Sequence, residues 1–349
     1  MADLRRATGP GRVNLIGDHT DYNDGLALPM AIDLGVSVEW QPADGDEQTL
    51  SVTSAAFEGR VELPIGPSVP VDPATVEPPW ARLIAAMVTV VPPESGGTLR
   101  IDGTLPIGAG LSSSAALLVT LAEVFGATGS PWTIASVCRE AEHRCGVPVG
   151  AMDPLVCAGG RRDHALLIDF AAMTATPVPL PDGADIVVVD SGRRRSLRDA
   201  PYAERVEECH AAAAVVGPLG LASPSDLAAV HDPRLRRRCR HVVTECARVR
   251  GTADAFRSGD LAAAGALMTE SHRSLAQDFE VSTPDVDGLV DRLVSTPGVL
   301  GARLTGAGFG GCVVALCHAG ALDPGGIVGL TRPIWHVVAT DGTVARRSR

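Results

Sequence analysis

Apolar residues recur along the chain with two different spacings, which predict strands and helices. Short or alternating apolar runs predict strands at residues 26–38, 99–101, 165–169, 186–190, 299–304, 311–316 and 334–339. Apolar positions three or four residues apart predict helices at 80–90, 113–124 and 133–144, and mainly helix over 202–278 with breaks at 217–224 and near Gly251. The segments 41–48, 63–79 and 145–160 are expected to be loops. This pattern favours an α+β chain with two units, residues 1–184 and 185–349.

The composition supports a large folded core. With 349 residues, of which 45% are hydrophobic and 20% charged, the chain has enough apolar surface for two lobes. Its formal net charge of −11 argues against nucleic acid as a partner, and the arginine-rich run 234–240 is interpreted as a solvated helix face. No apolar run has the length of a membrane span, and residues 1–10 lack a signal-peptide pattern. We therefore expect a cytoplasmic monomer that acts on small molecules, with no nucleic-acid or membrane partner.

The absence of lysine narrows the possible chemistry. All 30 basic residues in the Lys and Arg count are arginines, so the lysine of a Walker-type phosphate loop, the ATP-binding lysine of protein kinases and a pyridoxal Schiff base are excluded. Any phosphate must then be bound by backbone N–H groups, arginine and a metal ion. The eight cysteines are scattered without metal-ligand spacing and are predicted to be reduced thiols in the core.

A glycine- and serine-rich loop precedes the second predicted helix and resembles a phosphate cradle. Gly108 and Gly110 permit positive φ and close approach of the backbone to a ligand. Ser112, Ser113 and Ser114 are suited to cap the helix, whose first N–H groups would face an anion. The alternative interpretation is an ordinary glycine turn with a serine cap, and the loop alone does not decide between the two.

A dense polar cluster follows the first apolar stretch of the chain. It contains Asp18, His19, Asp21 and Tyr22, directly before the sequence Asp24-Gly25. A tight turn explains the Asp-Gly pair but not the histidine and the two carboxylates that precede it. Carboxylates accept hydrogen bonds and imidazole can donate or accept them, which suits a ligand rich in hydroxyl groups. A sugar is therefore the expected ligand.

Three motifs together resemble the signatures of the GHMP small-molecule kinases, and the first resembles the galactokinase branch. The motifs are Gly11-Arg-Val-Asn-Leu-Ile-Gly-Asp-His-Thr-Asp-Tyr-Asn23, Pro106-Ile-Gly-Ala-Gly-Leu-Ser-Ser-Ser-Ala-Ala116 and Leu304-Thr-Gly-Ala-Gly-Phe-Gly-Gly-Cys312. This resemblance implies an N-terminal lobe of the ribosomal-protein-S5-like type and a ferredoxin-like C-terminal lobe, with the active site between them. It also implies ATP and Mg²⁺ as cofactors.

The resemblance further implies a role for each matched residue. Asp153 would face the anomeric hydroxyl beside Arg12, and Ser114 and Glu142 would hold Mg²⁺, with Glu140 as the competing carboxylate. The implied sugar-binding residues are Asp18, His19, Asp21, Tyr22, Gly150 and Tyr202. The implied nucleotide-binding residues are Pro106, Gly108, Gly110, Leu111, Ser112, Ser113, Ser114, Trp80 and Arg194. These roles predict phosphoryl transfer that depends mainly on positioning and charge neutralisation.

Departures from the galactokinase pattern leave the sugar open. Asp18 stands where the pattern has the longer glutamate, Pro154 replaces a glutamine after the catalytic aspartate, and Leu83 replaces a tyrosine after Trp80. The leading hypothesis is an ATP- and Mg²⁺-dependent sugar 1-kinase acting on galactose. The alternatives are a kinase for another galactose-like sugar, either a pentose or a longer-chain biosynthetic sugar, and a sensor that binds sugar and ATP without turnover.

Overall fold

The computed structural model describes residues 3–45, 47–66, 72–146, 150–193, 200–322 and 332–347. Its strands are β1 (Arg5–Asn14), β2 (Leu26–Ala27), β3 (Pro29–Pro42), β4 (Thr49–Ser54), β5 (Phe57–Pro64), β6 (Gly97–Gly103), β7 (His164–Asp169), β8 (Thr174–Pro179), β9 (Ala184–Asp190), β10 (Val299–Thr305), β11 (Cys312–His318), β12 (Ile334–Val337) and β13 (Val344–Arg347). Its helices are α1 (Arg82–Val90), α2 (Ser113–Val124), α3 (Pro131–Arg144), α4 (Met152–Gly159), α5 (Ala200–Val216), α6 (Pro233–Ser258), α7 (Leu261–Gln277) and α8 (Pro284–Val294). The predicted α+β class is confirmed.

The strands of the described chain form three sheets. The sheet of the N-terminal lobe has the order β13-β1-β3-β6-β4-β5 and is antiparallel except between β4 and β6. Helix α2 packs on β1 and β3, with α3 and α4 beside it. The sheet of the C-terminal lobe has the order β10-β11-β9-β12, and α7 and α8 pack on β10. The small sheet β2-β7-β8 contacts α6, so a helix of the C-terminal lobe also packs on the N-terminal lobe.

Local sequence signals explain where the long helices begin and end. Helix α6 begins after Asp232, whose carboxylate accepts hydrogen bonds from the first free N–H groups, and Pro233 occupies the first helical position. The helix ends at Gly259, which has a positive φ of 75°. In β11 every residue before His318 is buried, as in a strand covered on both faces. No helix within the described residues combines the length and apolarity needed to cross a bilayer.

Two predictions of secondary structure are wrong. The predicted loop 145–160 contains α4. This helix has only eight residues, too few for the helical spacing of apolar positions to be recognised in the sequence. The break predicted near Gly251 does not occur, because α6 continues through it. A Cβ at Gly251 would lie 3.0 Å from Leu267 of α7, so this glycine permits close packing of two helices.

The arginine-rich run is only partly solvated. Arg238 is 1% exposed and forms ion pairs of 2.6 Å with Glu208 and with Glu280, so the predicted solvated face is wrong at this position. All eight cysteines lie within the described residues and none forms a disulfide; seven of them are buried, as expected for core thiols.

The chain crosses between the lobes twice. Strand β9 begins at Ala184, the position of the predicted boundary, and is the first strand of the C-terminal sheet in chain order. Strand β13 returns to the N-terminal sheet and pairs with β1, with Arg5 opposite Arg347. The last strand of the predicted unit 185–349 therefore extends the sheet of the other lobe. The two-unit boundary itself stays a prediction.

Candidate active site

A pocket of about 180 Å³ lies where β1, α2 and α4 meet the C-terminal lobe. Of the predicted site residues, those that line it are Arg12, Asp18, His19, Asp21, Tyr22, Gly108, Gly110, Ser112, Ser113, Ser114, Glu142, Gly150, Asp153 and Tyr202. Met152, Gly306 and Ala307 also line it and were not predicted as site residues. Arg194 lies outside the described residues.

An arginine and an aspartate form the centre of the pocket. Arg12 comes from β1 and is 3% exposed, while Asp153 lies in the first turn of α4. Arg12 donates from Nε to Asp153 Oδ1 at 2.8 Å and from a terminal nitrogen to Oδ2 at 2.7 Å. Its remaining terminal nitrogen donates to the carbonyl of Gly110 at 2.7 Å. The bidentate pair fixes the orientation of a carboxylate whose side chain is 33% exposed toward the pocket.

Pro154 lies in the same helical turn as Asp153. The N–H groups of a first helical turn have no partner within the helix, so a proline there removes no helical hydrogen bond. The departure from glutamine therefore leaves α4 intact and the carboxylate in place.

The N-terminus of α2 points at the pocket. Ser112 occupies the N-cap position with a positive φ of 62°, but its side chain does not cap the helix. Its hydroxyl instead donates to Asp153 Oδ2, so the predicted capping role of Ser112 is wrong. The first N–H groups of α2 therefore receive no side-chain cap from Ser112. Together with the positive end of the helix dipole, they form an anion-binding site beside Gly108.

Two predicted residues of the glycine–serine loop, Pro106 and Leu111, do not line the pocket. Leu111 is buried and its carbonyl accepts a hydrogen bond from the backbone N–H of Arg12 at 3.2 Å. The carbonyl of Pro106 accepts from the N–H of Ala109 at 3.4 Å, which closes the turn of the loop. Both residues shape the loop through their backbone.

A buried carboxylate lies near Asp153. Glu142 of α3 is 4% exposed, and its burial, followed by the negative charge of Asp153, raises its pKa to about 7. A hydrogen bond with Ser114 acts in the opposite direction. The competing Glu140 is exposed and pairs with Arg144 at 2.9 Å on the outer face of α3. Of the two carboxylates, only Glu142 can serve this pocket.

The acidic wall of the pocket includes Asp21. Its burial raises its pKa to about 6, and the negative charges of Asp153 and Asp18 act in the same direction. Gly150 lies against this carboxylate, since a Cβ at residue 150 would lie 1.5 Å from Asp21 Oδ2. Only glycine fits at position 150 while Asp21 keeps this position.

Both tyrosines of the chain, Tyr22 and Tyr202, line the pocket with their ring centroids 6.1 Å apart. His19 has a positive φ of 64°, and its Nδ1 lies 2.9 Å from the hydroxyl oxygen of Tyr22. The imidazole ring packs on Phe279 at a centroid distance of 4.6 Å. Burial raises the pKa of Tyr22 well above its usual value, so its phenol stays protonated.

Asp18 is attached to the C-terminal lobe. It is 2% exposed, and its Oδ1 accepts from the N–H of Gly306 at 3.0 Å. Its Oδ2 lies 2.6 Å from a terminal nitrogen of Arg303, in an ion pair that lacks the alignment of a hydrogen bond. Among the described residues, Oδ2 is buried and has no hydrogen-bond donor, while the residue Asp18 as a whole lines the pocket. No signal in the sequence links Arg303 to Asp18.

An apolar slot of about 310 Å³ adjoins the anion-binding site. It shares Ser113 and Ser114 with the main pocket and contains Trp80, the predicted nucleotide-binding residue. The rings of Phe57 and Trp80 are parallel within 3° at a centroid distance of 5.6 Å. Such a slot suits a flat aromatic group attached to phosphates. Leu83 also lines the slot. Phe57 was not predicted as a site residue, because nothing in the sequence of β5 indicates that this strand lies near the helix that follows residue 79.

The residues also fit a divalent cation. Within the described parts of the chain, no group of three or more His, Cys, Asp or Glu side chains is arranged to hold a metal ion by itself. Ser114 and Glu142 supply one hydroxyl and one carboxylate, which are hard oxygen ligands. A cation that takes its remaining ligands from water and phosphate, as Mg²⁺ does, is consistent with this set.

Three protein-family models match the chain. The galactokinase galactose-binding signature matches residues 3–42, the GHMP kinases N terminal domain matches residues 81–161, and the GHMP kinases C terminal model matches residues 252–323. Galactokinase from Bos taurus is 41% identical over 330 residues, which cover 90% of this chain and 84% of the relative. Galactokinase from Homo sapiens is 39% identical over 330 residues, with the same coverage.

A solved structure is similar over nearly the whole length. The crystal structure of Lactococcus lactis galactokinase complexed with galactose superposes with a TM-score of 0.86 at 27% sequence identity. The match covers 98% of this chain and 95% of that chain. With the two GHMP domain models, it confirms the predicted two-lobed fold.

Proposed function

The chain belongs to the galactokinase family of the GHMP kinases, and from this premise we propose that it transfers the terminal phosphoryl group of ATP to the C1 hydroxyl of D-galactose. It is a phosphotransferase whose acceptor is a sugar hydroxyl, and the resemblance inferred from the three motifs is confirmed. The observation that carries the proposal is the Asp153–Arg12 pair, which lies between a hydroxyl-binding acidic wall and an anion-binding helix terminus.

ATP fits the site in two adjoining parts. The adenine base would enter the slot beside Phe57 and Trp80, which is apolar and adjoins the first turn of α2. The phosphates would then meet the N–H groups at the start of α2 and the hydroxyls of Ser113 and Ser114. Because the chain has no lysine, these groups, Arg12 and a metal ion together must neutralise the phosphate charge.

The sugar would occupy the acidic end of the pocket. Asp18 and Asp21 line this end of the pocket with carboxylates, which can accept hydrogen bonds from sugar hydroxyls, and Tyr202 offers a ring and a hydroxyl. This places the C1 hydroxyl toward Asp153. Asp153 accepts the hydrogen bond from that hydroxyl and takes its proton as the bond from the C1 oxygen to the terminal phosphorus of ATP forms and the bond from that phosphorus to the departing ADP oxygen breaks. Arg12 holds the carboxylate in place and stabilises negative charge on the transferring phosphoryl group.

Mg²⁺ would be held by Ser114 and Glu142, the hydroxyl and carboxylate that already lie together. When bound, the ion neutralises charge on the phosphate oxygens. Burial raises the pKa of Glu142 to about 7, so without a bound cation its carboxyl group is only partly ionised near neutral pH.

We expect Glu142→Gln and Ser114→Ala to raise the Mg²⁺ concentration needed for half-maximal rate by about tenfold or more, since each removes one of few protein ligands. Kinetic titration with Mg²⁺ at saturating ATP and sugar measures this. Glu140→Gln is the matched control, because Glu140 lies on the same helix but pairs with Arg144 at the surface. If excess Mg²⁺ does not partly rescue either variant, or if the control behaves the same way, the metal assignment is wrong.

Sugar affinity should depend on pH through Asp21. With a pKa of about 6, this carboxyl is ionised at about pH 7.5 and mostly protonated at about pH 5. Since its acceptor strength falls on protonation, we expect the dissociation constant for galactose to rise by roughly up to tenfold between these values. Calorimetric titration with sugar alone measures it. Asp21→Asn should bind more weakly at neutral pH and lose most of this dependence; an unchanged profile in the variant would assign the effect to another group.

The sugar is tested by ADP release with galactose, with a pentose analogue that lacks C6 and with an analogue extended at C6. We propose that the short side chain of Asp18 leaves the C6 end less tightly bound than a glutamate would, so the parent discriminates less at C6, and Asp18→Glu shifts preference toward galactose. A parent preference for galactose of about a hundredfold or more that is unchanged in Asp18→Glu would show that Asp18 does not set specificity. Tight sugar binding without ADP release would favour the sensor alternative. The cytoplasmic location and the monomeric state stay predictions.

A further inference from the structure

The sugar-facing turn after β1 has an unfavourable backbone. Gly17 has a φ of 100° and His19, which carries a side chain, has a φ of 64°. Non-glycine residues adopt this region rarely and at a cost, so surrounding contacts must stabilise it. A Cβ at Gly17 would also lie 2.6 Å from the backbone of Leu26 and Ala27. The turn therefore keeps its shape only while its neighbours hold it.

The turn is held partly by its own hydrogen bonds, such as those from the Thr20 hydroxyl to the carbonyls of Gly17 and Leu26, and partly by contacts from the C-terminal lobe. The carboxylate of Glu245 accepts a hydrogen bond from the N–H of Gly17 at 3.0 Å. The Nε2 of His241 lies 3.2 Å from the carbonyl oxygen of Asp18 and donates a hydrogen bond to it, because a carbonyl oxygen can only accept. Arg303 adds the ion pair of 2.6 Å with Asp18 Oδ2. Backbone and side chain of the turn are thus both attached to the other lobe.

Arg303 links these contacts into one network. It is fully buried, its Nε donates to the hydroxyl of Ser271 at 3.1 Å, and a terminal nitrogen donates to the carbonyl of Asn14 at 3.3 Å. Its other terminal nitrogen lies 3.8 Å from Glu245. Burial would raise the pKa of Glu245, but His241, Arg248 and Arg303 lower it to about 2, so the carboxylate keeps its charge.

We propose that Arg303 is a positioning residue for sugar binding: it fixes the carboxylate of Asp18 and the turn behind it, and thereby sets the affinity for the sugar. The inference rests on the proposed sugar kinase function. Arg303 does not line the pocket, so its effect must pass through Asp18. Among the described residues, the hydrogen bonds and ion pairs of Arg303, Glu245 and His241 go to neither α2 nor the slot of Phe57 and Trp80, so binding of ATP should not depend on them.

The test replaces Arg303 by lysine and separates the Michaelis constants of the two substrates. An ammonium group retains the charge but cannot reach Asp18, Ser271 and the Asn14 carbonyl together. We expect the KM for galactose to rise by about tenfold or more, while the KM for ATP stays within about twofold of the parent. The matched control is Arg238→Lys, because Arg238 is an equally buried arginine of the same lobe whose carboxylate partners do not line the pocket.

The outcomes are distinguishable. If the parent turns over galactose and Arg303→Lys is folded with an unchanged KM for galactose, the inference is overturned while the proposed function stands. If the parent turns over no sugar, the proposed function fails first. A rise of both Michaelis constants, or the same rise in Arg238→Lys, would show a general structural role and overturn the inference.

A milder variant decides the case where Arg303→Lys does not fold. Ser271→Ala removes the hydroxyl that binds Arg303 and also donates to Glu245 at 2.5 Å, and it leaves every charge in place. We expect a selective rise of about threefold or more in the KM for galactose. An unchanged value in this folded variant would count against the positioning role.

Discussion

The Asp153→Asn variant is expected to lose a factor of about 10² to 10⁴ in kcat, while its affinity for ATP stays within about twofold of the parent. Among the described residues, Asp153 is the only carboxylate that Arg12 holds, and it lies in the pocket where the proposed sugar and phosphate positions would meet. An asparagine keeps the shape but cannot take a proton, and its amide group offers Arg12 one acceptor instead of two.

The measurement combines steady-state kinetics with direct titration of nucleotide. Ser112→Ala is the matched control, because it removes the hydroxyl that donates to Asp153 but leaves the carboxylate and Arg12 in place. We expect this control to keep a much larger share of its activity. Retention of more than about a tenth of the parent rate in Asp153→Asn would argue that the carboxylate orients the hydroxyl without removing its proton.

Local sequence patterns predicted the parts of the site that lie within single segments. The glycine–serine loop, the polar turn around His19 and the predicted helix 133–144 that carries Glu142 all contribute to one pocket. Each of these segments has its own chemistry in adjacent residues, so its role is visible before the fold is known. The assignment of individual roles to these residues stays a prediction.

Contacts between distant segments were not predictable in the same way. The N–H of Gly306 and Oδ1 of Asp18 are 288 residues apart in the chain, and nothing in either segment identifies the other. Phe57 begins the edge strand β5 and stacks on Trp80, which follows β5 in the chain by more than a dozen residues. Strand β13 adds to β1 although the whole C-terminal lobe separates them. Such pairings depend on topology, which periodicity does not encode.

Competition between hydrogen-bond partners explains why the role of Ser112 was mistaken. The sequence places a serine directly before a helix, where capping is its usual role. In the fold, the hydroxyl of Ser112 donates to the carboxylate of Asp153 on α4 instead, because hydrogen bonds to a charged acceptor are stronger than those to a neutral one. The N-terminus of α2 therefore stays available to an anion. The hydrogen bond from Ser112 to Asp153 also links the glycine–serine loop to this carboxylate.

Arg12→Lys should reduce kcat by about a hundredfold although the charge is retained. Arg12 makes three side-chain hydrogen bonds, two to Asp153 and one to the carbonyl of Gly110. These bonds hold the catalytic carboxylate and the phosphate loop to the same guanidinium. A lysine places its positive charge at one point, so it can satisfy the carboxylate or the loop but not both in the parent geometry.

Kinetics with both substrates check this prediction, and β1 supplies the matched control. Arg6→Lys changes an exposed arginine of the same strand, whose pair with Glu39 at 2.8 Å lies at the surface and should contribute little. Because Arg12 and Asp153 act as one unit, the double variant Arg12→Lys with Asp153→Asn should be scarcely slower than Asp153→Asn alone. Fully additive losses would mean that Arg12 acts on the phosphoryl group independently of the carboxylate, and an unaffected kcat in Arg12→Lys would remove it from the catalytic centre.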